Sequence, residues 1–432
     1  MQVYVFEDEG ASRLYPLTLT RPVFELKCGA TSLLEKIKRS LPHAEIHLYI
    51  RDYLAPVFKN KLALPVNDLS KIGNGDALFI NGRWLVGKEE INSEGPEEVA
   101  MSPNQEIVYA RVKGETLGRL WRPAEGGQAL EALKGQDLPQ ILESLKSTLK
   151  GRQIDARMVR YPWDLIKHNS QVLTEDFAAS TKKGAGAEIP HHLAILGPKE
   201  NLYIAPTAKI FPFVLLDATQ GPIYIDEEVS IASHTSVEGP AYIGPGTKIV
   251  GAKIRPGCSI GPVCRLGGEL DQTIIHGLSN KYHLGFIGHS YLGEWINLGA
   301  LTTNSDLKND YSTVEVWLNG RLVNTGELKV GSFIGDHTKL GIGTLLNTGT
   351  SVGVCCNILP HGELLPKFFP SFTWFFRNKF SRGMGLENML KTARVVMARR
   401  DVELTPEEIA VLQKVYGLTE EEREKALKRR GR

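Results

Sequence analysis

Ile287-Gly-His-Ser-Tyr-Leu292-Gly-Glu-Trp-Ile-Asn-Leu298-Gly-Ala-Leu301 decides the fold. Aliphatic residues, mostly followed by Gly, recur at Ile287, Leu292 and Leu298, in steps of five and then six. The beat returns at Ile334, Leu340, Leu346, Val352 and Ile358, now unbroken. A period of six fits neither the helical 3.6 nor the strand alternation of two. It is the mark of a hexapeptide solenoid, a parallel β-helix in which each hexad supplies a short strand and a turn. The aliphatic side chain points inward, and a small residue after it lets the chain turn. Upstream the same beat runs through Ile204, Ile210, Ile225, Ile231, Val237, Ile243, Ile249, Ile254 and Ile260. Residues 303–333 break it, which predicts an insertion ejected from the coil, and such loops tend to carry binding groups.

A chain of 432 residues has room for two or three domains. Its 42% hydrophobic and 23% charged residues are ordinary for a globular protein. A net charge of +2 gives no general argument for nucleic acid or membrane, so neither is expected as a partner. The five cysteines lack metal-type spacing, and a reducing cytoplasm is the simpler reading. The first residues, Met-Gln-Val-Tyr-Val-Phe-Glu-Asp, do not read as a signal peptide, and nothing reaches the ~18 apolar residues of a membrane span.

Residues 2–6, 45–50 and 77–80 are apolar runs of strand length, alternating with helical stretches at 31–39 and 138–150. That alternation predicts an α/β domain with a mostly parallel sheet, whose ligands bind beyond the carboxyl ends of strands. The loop after residue 6 and the turn Asn81-Gly82-Arg83 both fit that place. Tyr161-Pro-Trp-Asp164 opens a further helix. Residues 180–190 lack aromatics and periodicity and are read as the linker. The expected domains are therefore 1–185, 195–360 and 361–432. The last holds an aromatic cap beginning Phe368-Phe-Pro-Ser-Phe-Thr-Trp-Phe-Phe and two helices, about 386–400 and 405–430.

Leu14-Tyr-Pro-Leu-Thr-Leu-Thr-Arg-Pro-Val-Phe-Glu-Leu26, Asn81-Gly-Arg83, Tyr161-Pro-Trp-Asp164 and Lys281-Tyr-His283-Leu-Gly-Phe-Ile-Gly carry a resemblance. The chain resembles the bacterial family that fuses sugar-1-phosphate nucleotidyltransferase and hexapeptide acyltransferase domains, in a divergent branch. The family is typified by the bifunctional N-acetylglucosamine-1-phosphate uridylyltransferase and glucosamine-1-phosphate acetyltransferase. The resemblance implies a Rossmann-like nucleotidyltransferase domain, a left-handed β-helix with about three hexads per turn, and a homotrimer. It implies that His283 is the catalytic base, since attack of an amine on the thioester of acetyl-CoA must release a proton that imidazole can accept. The backbone N–H of Ala300, in the turn Gly299-Ala300-Leu301-Thr302, is implied to face the acyl oxygen, with Thr302 beside it in the acyl-CoA site. Lys253 and Arg255 match a phosphate-binding position, and Asn297 matches a sugar contact.

The chain departs from the family at Gly268-Glu-Leu-Asp271, where an acid replaces a phosphate-binding Lys, and at Phe286, which replaces Tyr. A changed acceptor is therefore expected. In the N-terminal domain the resemblance implies nucleotide binding through Gly10, Arg13, Arg21 and Lys27, with Asn81 in place of the usual Mg²⁺-holding Asp. Mg²⁺ is expected only if that domain transfers nucleotides. His276, His289 and His337 do not reproduce a zinc set, and no metal site is expected in the solenoid.

The expected activity is acyl-CoA-dependent transfer to an aminosugar or sugar phosphate, with possible use of a nucleoside triphosphate, in activated sugar synthesis for the cell envelope. Two other readings stay open. Nucleotidyl transfer could be the main activity with the solenoid only trimerising, or the whole could be a sugar-nucleotide-binding scaffold. Taken alone, a His in a solenoid turn such as His283 is more often structural than catalytic.

Overall fold

The computed structural model describes residues 2–70, 72, 75–87, 91–121, 138–187, 190–360 and 362–428. Contacts divide the chain into two compact units. One comprises Met1–Ser12, Arg21–Leu26 and Ser32–Arg160; the other Arg13–Thr20, Lys27–Thr31 and Tyr161–Arg432.

The first unit is built on a six-stranded sheet. Gln2–Phe6 lies between Glu45–Tyr49 and Ala77–Asn81, parallel to both. The other half is mixed: Ile107–Val112 runs antiparallel to Ala77–Asn81 and to Glu98–Met101, which pairs in parallel with Gly151–Gln153. The sheet is thus less uniformly parallel than the alternation of runs predicts. Short connections at Asn104-Gln105 return the chain as a hairpin, where a parallel pairing would need a crossover. Helix Leu33–Ser40 starts where Ser32 and Glu35 form a reciprocal cap.

The second unit is a parallel solenoid. Three hexads make one coil, because Ile243 stands directly on Ile225 after Ile231 and Val237 have served the other two faces. One inner column runs Ile204, Ile225, Ile243, Ile260, Ile275, Leu292, Ile334, Val352 and Phe369. These side chains are buried, and each stabilises the coil by roughly 1.5–3 kcal/mol relative to exposure. Sequence periodicity and stacking register therefore report the same thing.

Four features differ from the expected boundaries. Gly184–Ala185, within the supposed linker, already pairs with Tyr203 and Ile204 as the first strand of a solenoid sheet. Helix Pro162–Ala179 belongs to the solenoid unit. Buried Asn169 explains this: it donates to Gly257 O at 2.8 Å and accepts from Gly29 N and Ser259 Oγ at 2.6 and 3.0 Å. The aromatic stretch is a further coil, with Phe369 on Val352 and Phe375 on Ile358. Phenyl rings occupy the inner positions there, so the aliphatic beat is disguised. The expected helix 405–430 is two helices, Pro406–Leu418 and Glu420–Lys428, separated at Thr419, whose hydroxyl bonds back to Val415 O. The insertion contains the hairpin Glu315–Leu318 and Arg321–Asn324, with Asn319 and Gly320 both at positive φ as a tight two-residue turn requires.

Candidate functional site

His283 lies on the turn between strands Asn280–Lys281 and Phe286–Gly288 and is exposed, its ring edge-on to Tyr282. The next coil brings Gly299–Thr302 to the same corner, where Leu301 N donates to Leu284 O at 2.8 Å. Ala300 O accepts from Gly343 N, but Ala300 N–H has no hydrogen-bond partner among the described residues. An unpaired, half-buried N–H beside an exposed imidazole suits a developing oxyanion. Thr302 is fully buried and its hydroxyl bonds Gly341 O, so its side chain packs the coil.

A residue that the motif contained but the reading left without a role lies beneath this turn. The second inner column runs Ile231, Ile249, Leu266, Lys281, with Leu298, Leu340 and Ile358 continuing it. Lys281 thus takes a core position and is only 1% exposed. Its ammonium donates to His283 O and lies 3.5 Å from Gly267 O, tying two successive turns. Burial drives its pKa down to about 8. A Lys in phase with the aliphatic beat is a signal that the sequence does display.

Lys253, Arg255 and Asn297 are not brought together within one chain. Lys253 lies in register with Ser236 and Glu269, and Glu269 with Phe286, on the face after the His283 corner. Arg255 approaches Glu269 at 3.6 Å. Asn297 lies on the face before that corner, 3.3 Å from Asn280, whose amide oxygen accepts from Arg400 at 3.0 Å. Arg400 was not foreseeable as a neighbour, because it arrives from a helix end far along the chain.

In the α/β unit the ends of Gln2–Phe6 and Ala77–Asn81 hold a buried charge cluster. Arg83, fully buried, donates to Asp8 at 2.7 Å through Nε and to Glu106 at 2.9 Å, and Arg160 also donates to Glu106 at 2.7 Å. Asn81 is fully buried and donates to Asp8 and Ile107 O. Burial would raise the Asp8 carboxyl, but the bonds and charge of Arg83, with Asn81, hold it below the usual carboxylate range. Gly10 donates to Asp8, and a Cβ there would lie 2.4 Å from Arg83 Nε. The absent side chain at Gly10 therefore makes room for a guanidinium. Arg21 is buried, and its carbonyl accepts from Arg51, which pairs with Glu7. Arg13 and Lys27 fall in the solenoid unit, where Lys27 N bonds Tyr291 Oη at 2.9 Å, so the five expected nucleotide contacts divide between the units.

The expected Mg²⁺ does not fit these acids. Asp8 and Glu106 are taken by arginines and Asp76 by Lys113. Among the described residues no group of three or more His, Cys, Asp or Glu is placed to hold a metal.

The two units define a class: an α/β nucleotidyltransferase-like domain followed by a hexapeptide-type solenoid. Comparison with known proteins agrees. Residues 3–184 match the family model described as sugar nucleotidyl transferase. The bifunctional sugar-1-phosphate nucleotidylyltransferase/acetyltransferase of Sulfurisphaera tokodaii is 33% identical over 153 residues, covering 33% of this chain and 36% of that protein. The bifunctional protein GlmU of Sorangium cellulosum is 24% identical over 286 residues, covering 63% of this chain and 52% of that protein. The chain thus spans about a quarter to a half of the length of the curated relatives it matches. Among solved structures, Francisella novicida UDP-N-acetylglucosamine acyltransferase aligns with a TM-score of 0.35 and 17% identity, over 54% of this chain and 79% of that one.

Proposed function

We propose that this chain is a sugar-modifying transferase, acting in activated aminosugar synthesis for the cell envelope. Its solenoid passes an acyl group from acyl-CoA, acetyl-CoA in the first instance, to an aminosugar or sugar phosphate. The observation that carries this is the pairing at one corner of exposed His283 with the unpaired N–H of Ala300 on the adjoining turn. His283 takes the proton of the attacking amine. Ala300 N–H receives the charge that grows on the thioester oxygen. Lys253 and Arg255 draw an anionic acceptor, while Glu269 between them moderates that field and disfavours a multiply charged phosphate.

The active unit is a homotrimer in the cytoplasm. Leu284, Leu301 and Ile342, all more than half exposed, form an apolar ridge along the His283 corner that calls for cover. Lys253 and Asn297 lie on the two faces flanking that corner, so a neighbouring subunit would be needed to bring both to one ligand.

For the α/β unit a second reading is favoured by the Arg83 cluster: it holds a sugar nucleotide or supports assembly without transferring nucleotides. Gly10 and Asn81 serve that cluster, and its acids are committed to arginine.

The test uses purified protein with acetyl-CoA and a panel of aminosugars and sugar phosphates, with and without UTP, dTTP and Mg²⁺, products read by mass spectrometry. His283→Ala should slow acyl transfer by ~10²–10⁴-fold at unchanged unfolding midpoint and assembly. Unchanged turnover would make His283 a packing residue. Mg²⁺-dependent pyrophosphate release would overturn the second reading.

A further inference from the structure

The same coil that carries His283 presents a second histidine at its next turn, after strand Phe286–Gly288. His289 is 7% exposed, and its backbone is fixed in the left-handed region, with N bonded to Asp271 O and O to Gly331 N. Its Nδ1 meets Asp306 Oδ2 at 2.8 Å. Gly288 permits this approach, since a Cβ there would lie 2.6 Å from that carboxylate oxygen. In the neutral imidazole tautomer that donates to Asp306, the proton sits on Nδ1 and Nε2 is the acceptor. Nε2 has no partner among the described residues.

His289 lines a cavity of about 510 Å³ beside helix Pro162–Ala179 and the ejected insertion. The volume is that of a small-molecule site. Trp163, Ile166 and Leu307 give it apolar walls, and Tyr311 stands exposed on its insertion side. Lys167 and Glu327 pair with each other at 2.6 Å. Lys329 has no ion-pair partner among the described residues.

Each unmatched group asks for a particular complement. An imidazole nitrogen that opens on this cavity can accept an O–H or N–H from a molecule bound there. An unpaired ammonium favours one anionic group. Flat aromatic and aliphatic walls favour a compact ring with apolar C–H faces. We propose that this cavity is a second small-molecule site, which takes a pyranose-sized polyhydroxylated ring bearing one phosphate, with the His289–Asp306 pair as the acceptor that orients a ring hydroxyl and Lys329 as the phosphate contact. The site is separate from the acyl-transfer corner and does not depend on that reading, because the two histidines occupy opposite ends of strand Phe286–Gly288.

The rival role for the pair is a clamp on the neck of the insertion, where Asp306 O also accepts from Val330 N at 2.8 Å. Calorimetric titration of full-length protein with glucose 1-phosphate and glucosamine 1-phosphate separates the two, with glucose and inorganic phosphate as controls. Wild type should bind a sugar phosphate. His289→Gln and Lys329→Met should each weaken it at least tenfold. Lys329 meets Leu307 at that neck through its backbone, which Lys329→Met keeps, so the variant should leave the unfolding midpoint unchanged and decides even if His289→Gln loosens the insertion. The proposal is overturned by no binding of either sugar phosphate at ~5 mM, by full affinity in Lys329→Met, or by inorganic phosphate binding as tightly as the sugar phosphates.

Discussion

Arg83→Met tests whether the guanidinium at the strand ends braces the α/β unit or waits for a phosphate. Met keeps an unbranched apolar stem and removes the charge and donors. In the folded chain Arg83 is fully buried and bonds Asp8, Glu106 and Val159 O. Removing it leaves two carboxylates that repel each other, a repulsion already felt at Asp8. Breaking a buried pair by deleting one partner costs about 3–5 kcal/mol. Glu106 keeps Arg160, and the Asp8 side chain is 20% exposed, which points to the lower end. About 3 kcal/mol corresponds to roughly a hundredfold faster opening of Ala77–Asn81 and Ile107–Val112 in native-state hydrogen exchange at pH 7. Adding Asp8→Ala should cost less than the sum of the two single changes, because it removes one of the stranded charges. The pH dependence has a definite sign. The folded Asp8 pKa lies below the ordinary 3.8 of an aspartate, so its stabilisation is complete above that value and is lost as pH falls through the folded pKa. Arg83→Met should remove that acid-side loss. A change in exchange below ~5-fold, or strict additivity in the double variant, would refute the brace and restore Arg83 as an available phosphate ligand.

Lys281 gives a trend on the alkaline side: its folded pKa is about 8 against 10.5 ordinarily, so between those values the unfolded chain binds the extra proton and stability rises with pH. Lys339 acts in the same direction and the buried thiols act against both above about pH 9, so the reading is a difference: the denaturation midpoint of wild type relative to Lys281→Met should rise from pH 8 to 10.5, and a constant difference would contradict this. All five cysteines are free and buried, with burial pushing Cys258 to about 12 and Cys264 and Cys356 to about 11. Native protein at pH 8 should therefore resist a thiol reagent that titrates all five in denaturant, and a rapidly reacting native thiol would count against the packing described. Finally, a fragment starting at residue 161 should be more stable than one starting at 190, since the latter loses helix Pro162–Ala179 and the bonds of Asn169; equal thermal midpoints would detach that helix from the solenoid.

The solenoid was legible because its order is local. Every sixth residue must be small enough to point inward, and the same condition repeats coil after coil, so Ile225, Ile231, Val237 and Ile243 declare the fold without any distant partner. The first strands, Gln2–Phe6, Glu45–Tyr49 and Ala77–Asn81, were legible for the same reason: burial on both faces writes itself as continuous apolar runs. His283 and Ala300 were named from the family resemblance of their flanking motifs, and the coil brings those two turns to one corner. What the sequence could not decide was occupancy. Gly10 and Asn81 look like a phosphate-binding loop in one dimension. Only in three dimensions does Arg83 fill the space over Gly10 and Asp8 take the donor of Asn81. Likewise nothing local joins Asn169 to Gly257, Arg400 to Asn280, or His289 to Asp306 across the turns of a coil. Periodicity is set by each residue's own need for burial, which the sequence records residue by residue. Pairing of buried polar groups depends on which distant chain segment arrives opposite, and tertiary packing alone decides that.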